Sequence, residues 1–183
     1  MATALATLLL AACTAPGPAR LADARTLDSA RAHTALAVAY YQSAQYATAA
    51  DEAAAALRAA PDHAPAHNIH GLVLMATGQT ALADAAFSRA VALDPQDADA
   101  RNNRAVLLCR TGRVDAAVRD WDAAARIPYY ATPAQSWRNA AACLAAVGRS
   151  REAQQWRERA ERAESAGPGA DLTAAGRPAT VAQ

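Results

Sequence analysis

Residues 64–97 read APAHNIHGLVLMATGQTALADAAFSRAVALDPQD, and they contain two helical patterns separated by one break. The first pattern is an apolar run around Gly71 that stops at Gly78, where glycine readily takes the positive φ that ends a helix. The second pattern places small and apolar residues at steps of three and four across residues 83–91, which puts them on one helical face. It ends at Pro95, because proline cannot continue a helix. Residues 64–97 therefore predict one helix-turn-helix unit.

Copies of this unit lie on both sides of it in the same register. The matching positions one period upstream are Ala37, Ala49 and Pro61. The matching positions one period downstream are Ala105, Gly112, Ala117 and Trp121. A fourth copy follows a two-residue insertion in the connector IPYYATP, and its matching positions are Trp137, Ala141, Gly148 and Ala153. We therefore assign four repeats to residues 30–63, 64–97, 98–133 and 134–165.

The length of this unit, with glycine at its turn and proline at its end, is similar to that of tetratricopeptide (TPR) repeats. The resemblance implies an all-α fold, a TPR α-solenoid of about four helix-turn-helix repeats that winds into a right-handed superhelix. Small residues such as Gly71 let the two helices of a repeat approach closely, and larger side chains fill the remaining gaps. The alternative is an alanine-rich helical bundle in which successive hairpins do not stack.

The composition narrows the classes of function. The chain has 183 residues, enough for one domain with a hydrophobic core, and a formal net charge of +1. All 18 basic residues are arginine and they form no block, so we do not expect a general nucleic-acid surface. The sequence has no run of 18 apolar residues, so we do not expect a membrane-spanning helix.

The N-terminal residues resemble a bacterial lipoprotein signal. Residues 1–12 form a short apolar run, and residues 10–13 (LAAC) fit a lipobox, in which small residues precede the cysteine that receives the lipid. No Lys or Arg precedes the run, unlike a usual secretory signal. The resemblance implies lipid attachment at Cys13, and Thr14 in place of an aspartate favours the outer membrane. The alternative is an alanine- and leucine-rich helix end with a buried Cys13.

We expect residues 1–20 to be this signal and a tether, since residues 16–18 (PGP) do not favour a helix. The TPR domain is predicted over residues 21–165. Its last helix carries charges such as residues 157–159 (RER), which are typical of the polar cap that ends a repeat array. Residues 166–183 are of low complexity and are predicted to be a disordered tail.

Three histidines at spacings of four and three residues are candidate metal ligands, namely His63, His67 and His70. No cysteine or carboxylate completes a ligand set, and His67 and His70 fall at packing positions of their repeat, so we predict no metal site. The Ser and Asp residues form no nucleophile elbow, phosphate loop or catalytic triad pattern. We therefore predict no active site, no cofactor and no enzyme activity.

Cys109 and Cys143 lie in the first helices of repeats three and four, which are neighbours in a stacked array. An exported protein meets an oxidising compartment, where two such thiols can pair. The insertion gives the two cysteines different positions within their repeats. The sequence therefore leaves two alternatives, a disulfide or two small buried thiols.

The first helices of a TPR array line a concave groove, which is the candidate protein-binding surface. In this register its positions are Asn68, Leu72, Met75, Asn102, Val106, Arg110 and Arg138. Hydrogen bonds from Asn68 and Asn102, together with apolar contacts, would hold an extended or helical peptide segment. Arg110 or Arg138 would pair with a carboxylate of that segment. The alternative for each of these residues is an ordinary solvated side chain.

Several motifs in the second half stand where one lipoprotein family has them, namely Asn102-Asn103, Leu108-Cys109, Gly112-Arg113, Pro128-Tyr129, Thr132-Pro133, Asn139 and Cys143. By these motifs, residues 32–163 resemble the pilotin-type TPR lipoproteins of type IV pilus biogenesis and stability. At Arg104 the family usually has a small residue. The resemblance implies a lipoprotein on the outer membrane, facing the periplasm, that assists assembly or stability of the secretin. The alternative is a generic periplasmic TPR scaffold for cell-envelope enzymes, such as cell-wall hydrolases or synthases.

Overall fold

A computed structural model describes residues 18–166, and this part of the chain contains eight α-helices and no strand. The helices are α1 Pro18–Gln42, α2 Tyr46–Ala59, α3 Ala64–Ala76, α4 Thr80–Leu93, α5 Ala98–Arg110, α6 Val114–Ala125, α7 Pro133–Ala146 and α8 Ser150–Ala166. The all-α prediction is confirmed for these residues. The predicted lipid-attachment residue Cys13 and the tail from residue 167 onward lie outside the described range.

The helices form four hairpins that stack in sequence. Within the hairpins, α1 packs on α2, α3 on α4, α5 on α6, and α7 on α8. Each second helix also packs on the next first helix, and the first helices α1, α3, α5 and α7 contact one another in order. Extensive contacts within residues 18–166 join only helices that are one or two places apart. This is the stacking of a solenoid, and it rules out the closed-bundle alternative for the described residues.

The hydrophobic core is a row of local clusters, each shared by neighbouring repeats. Phe87 of α4 is fully buried and packs in one cluster with Leu74 of α3 and Leu107 of α5. Trp121 of α6 and Leu144 of α7 belong to the next cluster along the array. Because each cluster needs residues from the adjacent repeat, the repeats stabilise one another.

α3 and α4 approach closely at Gly71. A Cβ at this position would lie 2.7 Å from two ring carbons of Phe87, which is closer than van der Waals contact allows. The Phe87 ring is fully buried, so it cannot shift toward solvent to make room for a Cβ. The small residue that the repeat pattern requires at this position is therefore explained by a specific aromatic neighbour.

α1 begins at Pro18, so the prediction that residues 18–20 belong to a non-helical tether is wrong. Proline is tolerated in the first turn of a helix, because the N–H that it lacks would have no partner there. α8 continues to Ala166, one residue beyond the predicted end of the domain. None of the helices in residues 18–166 combines the length and the apolar character needed to cross a membrane.

The turns inside the four hairpins share a left-handed residue. Gly78, Gly112 and Gly148 have φ values of 78°, 79° and 79°. The turn of the first hairpin instead has Ala44 at φ 57°. A side chain in this region is crowded by the following carbonyl oxygen, which costs about 1–2 kcal/mol.

Single substitutions of the left-handed residue in two of these turns should change the free energy of unfolding in opposite directions. We expect Ala44→Gly to raise the free energy of unfolding by about 1 kcal/mol, because it relieves the crowding in the folded state. Gly112→Ala should lower it by about 1 kcal/mol, because a Cβ there meets nothing within 4 Å and only the backbone conformation changes. Urea unfolding followed by circular dichroism measures both. A destabilised Ala44→Gly variant would contradict the argument.

Candidate protein-binding groove

The seven predicted groove residues lie on the neighbouring first helices α3, α5 and α7. Leu72 and Met75 are partly buried beside the Phe87 cluster, and Val106 is partly buried beside the Trp121 cluster. None of the seven residues is fully buried. The apolar members thus rest on the core and retain some exposed surface, which suits contact with a partner.

The two groove asparagines take part in hydrogen bonds that link the first helices. Asn103 Nδ2 donates to Asn68 Oδ1 at 3.0 Å, which joins α5 to α3. Asn139 Nδ2 donates to Asn102 Oδ1 at 3.3 Å, which joins α7 to α5, and Trp121 Nε1 donates to the same oxygen at 3.0 Å. The repeat register alone does not predict these roles of Asn103 and Asn139, although each directly follows a groove position in its repeat.

The two groove arginines differ in their surroundings. Arg138 donates to Gln135 Oε1 and to the Glu164 carboxylate, so it already has an anionic partner on α8. Arg110 is exposed and makes no ion pair within residues 18–166. Of the two, Arg110 is therefore the better placed to pair with a carboxylate from another molecule.

Cys109 of α5 and Cys143 of α7 form a disulfide in the structure, with their Cα atoms 6.0 Å apart. The two cysteines are 34 residues apart, which equals the repeat period. Because the connector before α7 is longer than the other inter-repeat turns, they nevertheless occupy different positions within their helices. Cys109 is partly buried next to the groove residue Arg110, whereas Cys143 is almost fully buried. The bond fixes the third repeat to the fourth beside the groove.

Removing the disulfide should destabilise the domain. We expect Cys109→Ser with Cys143→Ser to lower the free energy of unfolding by about 2–4 kcal/mol, since the bond closes a long loop and restricts the unfolded chain. The measurement is urea unfolding of the wild type and the double variant. Reductant should lower the wild-type midpoint and leave the double variant unchanged. Equal midpoints for all four samples would mean that the bond adds no stability.

A buried carboxylate on α6 binds arginines of the groove helix α5. The side chain of Asp120 on α6 is only 9% exposed, and its two oxygens accept from Arg104 Nε at 2.6 Å and Arg104 Nη2 at 2.7 Å. Arg101 Nη1 lies 3.7 Å from the same carboxylate. This hydrogen bonding holds the pKa of Arg104 above its ordinary value. The network ties α5 to α6, and it gives Arg104 a structural role in the third repeat.

Arg159 of α8 is largely buried against two tryptophans, with its side chain 11% exposed, so it is not part of the solvated cap that the sequence predicts for residues 157–159. Its guanidinium carbon lies 5.0 Å from the ring centroids of both Trp137 and Trp156. Asp122 Oδ1 accepts from Arg159 Nη1 at 3.1 Å and from Trp137 Nε1 at 3.0 Å. Burial lowers the pKa of Arg159. A cation can occupy this core because aromatic faces and a carboxylate surround it.

The three candidate metal-binding histidines have separate local roles. His63 precedes α3, and His67 forms a 2.8 Å hydrogen bond with the carbonyl of Pro61. Burial lowers the pKa of His63 and of His70, which favours their neutral forms. Within residues 18–166, no three potential ligand side chains lie close enough to hold a metal ion.

Two family models match the chain, and both describe the tetratricopeptide repeat, over residues 64–97 and 86–119. The fold is a tetratricopeptide-repeat solenoid. The matched residues contain α3 to α5 and the start of α6, which carry six of the seven groove positions. No curated protein sequence matches the chain.

Two solved structures are similar to this chain over about three quarters of its length. The structure of Pseudomonas aeruginosa pilF has a TM-score of 0.71 at 22% identity, covering 78% of this chain and 64% of pilF. PilW, a widely conserved type IV pilus biogenesis factor, has a TM-score of 0.68 at 25% identity, with 76% of this chain and 64% of PilW covered. This TPR chain therefore spans less than two thirds of either protein.

A third similar structure has a bound peptide. The first TPR of Spaghetti (RPAP3), bound to the HSP90 peptide SRMEEVD, has a TM-score of 0.57 at 18% identity, covering 65% of this chain and 95% of that TPR. At this identity the likeness concerns the fold alone. The TPR repeats make this chain a protein-interaction scaffold with structural neighbours in type IV pilus biogenesis.

Proposed function

We propose that this TPR protein is a lipoprotein that assists type IV pilus biogenesis by holding a segment of the outer-membrane secretin in its groove. The observation that carries the proposal is the similarity to PilW over 76% of the chain at 25% identity. The motifs that favour the same family from sequence include Asn102, Asn139 and the cysteine pair.

Two features support an envelope location. The lipobox at Cys13 would anchor the chain in the outer membrane through a lipid. The disulfide between Cys109 and Cys143 is of a kind that persists in the oxidising periplasm and is rare in the cytosol. A periplasm-facing domain on the outer membrane would be placed where secretin subunits assemble.

The groove has the chemistry for such a role. Its partly exposed side chains Leu72, Met75 and Val106 offer apolar contact, and Arg110 offers a cation without an internal partner in the described residues. Apolar side chains of a partner segment would pack on these three residues, and a carboxylate of the segment would pair with Arg110. The disulfide would keep α5 and α7 in fixed relation while the segment binds.

Secretin assembly in cells tests the proposal. In a strain deleted for this protein, we expect the secretin multimer seen on gels to fall and the wild-type chain to restore it. Cys13→Ala and the double variant Arg110→Ala with Arg138→Ala should restore it poorly. Arg151→Ala, an exposed arginine on α8, is the matched control and should restore it fully.

Two outcomes would overturn the proposal. One is an unchanged amount of secretin multimer in the deletion strain. The other is affinity capture from envelope extract that recovers only cell-wall hydrolases or synthases, since this result would favour the generic scaffold. Circular dichroism of each purified variant shows whether a loss reflects unfolding.

A further inference from the structure

The hydrogen bonds among the groove amides leave one kind of group available to a partner. Asn68 Oδ1 accepts from Asn103, and Asn102 Oδ1 accepts from Asn139 and Trp121. The Nδ2 atoms of Asn68 and Asn102 have no partner within residues 18–166, and neither is among the buried atoms that lack one. Both asparagines thus present donors, which select a partner that offers carbonyl or carboxylate oxygens.

The two donors recur with the spacing of the helices that carry them. Asn68 and Asn102 occupy the same position in adjacent repeats, the first in residues 64–97 and the second in residues 98–133. The amide bridges between α3 and α5 and between α5 and α7 keep neighbouring first helices in contact. Packed helix axes are about 8–10 Å apart, so we expect the two donors to be separated by a similar distance. A partner that binds both donors must therefore have two hydrogen-bond acceptors that point the same way and are about 8–10 Å apart.

The regular backbone conformations differ in whether they meet this requirement. The carbonyls in an α-helix are used by its own hydrogen bonds. A β-strand repeats the direction of its side chains and carbonyls every two residues, about 6.6–6.8 Å. A polyproline II segment makes no internal hydrogen bonds and repeats every three residues, about 9.3 Å. Only the last conformation combines available carbonyls with the spacing of the repeats.

The groove floor is also suited to such a segment. Leu72 lies four residues after Asn68 on α3, and Val106 lies four residues after Asn102 on α5, so each apolar side chain is one turn from a donor. Both are partly exposed. Proline rings or other apolar side chains of the segment would pack on them. In the first repeat, the equivalent Thr34 donates its hydroxyl to the Ala30 carbonyl, so the row of donors begins at Asn68.

We infer that the groove takes a proline-rich partner segment in the polyproline II conformation, whose carbonyls at every third residue accept from Asn68 and Asn102. The inference rests on the proposed function, because it specifies the conformation of the segment held in the same groove. The sequence left open whether the segment is extended or helical, and the inference favours the extended one.

The test measures binding of fluorescent peptides to the full chain, kept free of lipid by Cys13→Ala. The probes are decaproline, a Gly-Ser peptide of equal length, an alanine-rich helical peptide and a flexible glutamate-containing peptide. We expect decaproline to bind at least tenfold more tightly than the other three. Asn68→Asp and Asn102→Asp keep the accepting oxygen but replace the donor, so each should weaken decaproline binding about tenfold.

Gln96→Glu makes the same amide-to-acid change in an exposed inter-repeat turn, and it should leave decaproline binding unchanged. Decaproline that fails to bind, or that binds Asn68→Asp and Asn102→Asp as tightly as the wild type, would overturn the inference. Preferred binding of the helical or glutamate peptide, with loss in the Arg110→Ala variant, would also overturn it but would leave the proposed groove function standing. Unchanged secretin multimers in the deletion strain would instead remove the proposed function itself.

Discussion

Replacing Asp120 with alanine should destabilise the domain by about 3–5 kcal/mol, because removing one partner of a buried ion pair leaves the other charge without compensation. The Asp120 side chain is 9% exposed, and those of Arg104 and Arg101 are 22% and 20% exposed. Both arginines would lose their only carboxylate within the described residues and remain largely buried. Urea unfolding followed by circular dichroism gives the change in free energy.

Two further variants sharpen this prediction. Asp51→Ala removes an exposed carboxylate from α2 and should change stability by less than about 0.5 kcal/mol. Arg104→Met with Asp120→Leu removes the bidentate pair together, and it should cost less than Asp120→Ala alone because the closest uncompensated charge is gone. A double variant that is less stable than Asp120→Ala would contradict the argument that an uncompensated charge causes the loss.

Trp137→Ala is expected to lower the free energy of unfolding by about 3–5 kcal/mol, the usual cost of emptying a buried aromatic site. Trp137 of α7 is fully buried against α8 and the end of α6. The change would also remove the ring that faces Arg159 and the N–H that Asp122 accepts. The loss combines packing, cation–π attraction and one hydrogen bond to a charged group.

Trp137→Phe separates these contributions. Phenylalanine keeps an aromatic ring against Arg159 but lacks the N–H, so we expect a loss of about 1.5–3 kcal/mol, smaller than that of Trp137→Ala. Thermal and urea unfolding of both variants, beside the wild type, provides the comparison. Equal losses for the two variants would mean that the hydrogen bond to Asp122, rather than the ring, determines the stability of this site.

The repeat pattern was sufficient to predict the architecture. Glycine at the turns, proline at the unit ends and apolar steps of three and four are local signals, and they place the helices of residues 18–166 without knowledge of any distant contact. Gly71 illustrates the limit of such signals, because its small size is predicted by the pattern whereas its reason, the Phe87 ring, is seen only in the fold. Boundaries were less accurate, since a first-turn proline such as Pro18 is compatible with both a tether and a helix.

The candidate site was predicted only in outline. The register gives the face of each first helix, and it therefore yields positions such as Asn68 and Asn102. It does not give hydrogen bonds that cross between helices, and these bonds decide that Asn102 offers a donor rather than an acceptor. The partners Asn139 and Trp121 are 37 and 19 residues away in sequence.

For residues 18–166, the sequence by itself determined the number, order and type of the helices, because those depend on short-range propensities that recur once in every repeat. Only the tertiary structure decided which polar side chains meet. Arg104 and Asp120, or Arg159 and Trp137, look like ordinary surface and core residues until helices from different parts of the chain pack together. The same holds for Cys109 and Cys143, whose pairing depends on the distance between α5 and α7 after the longer connector. Long-range contacts of this kind are set by helix packing and side-chain rotamers, which no local pattern encodes.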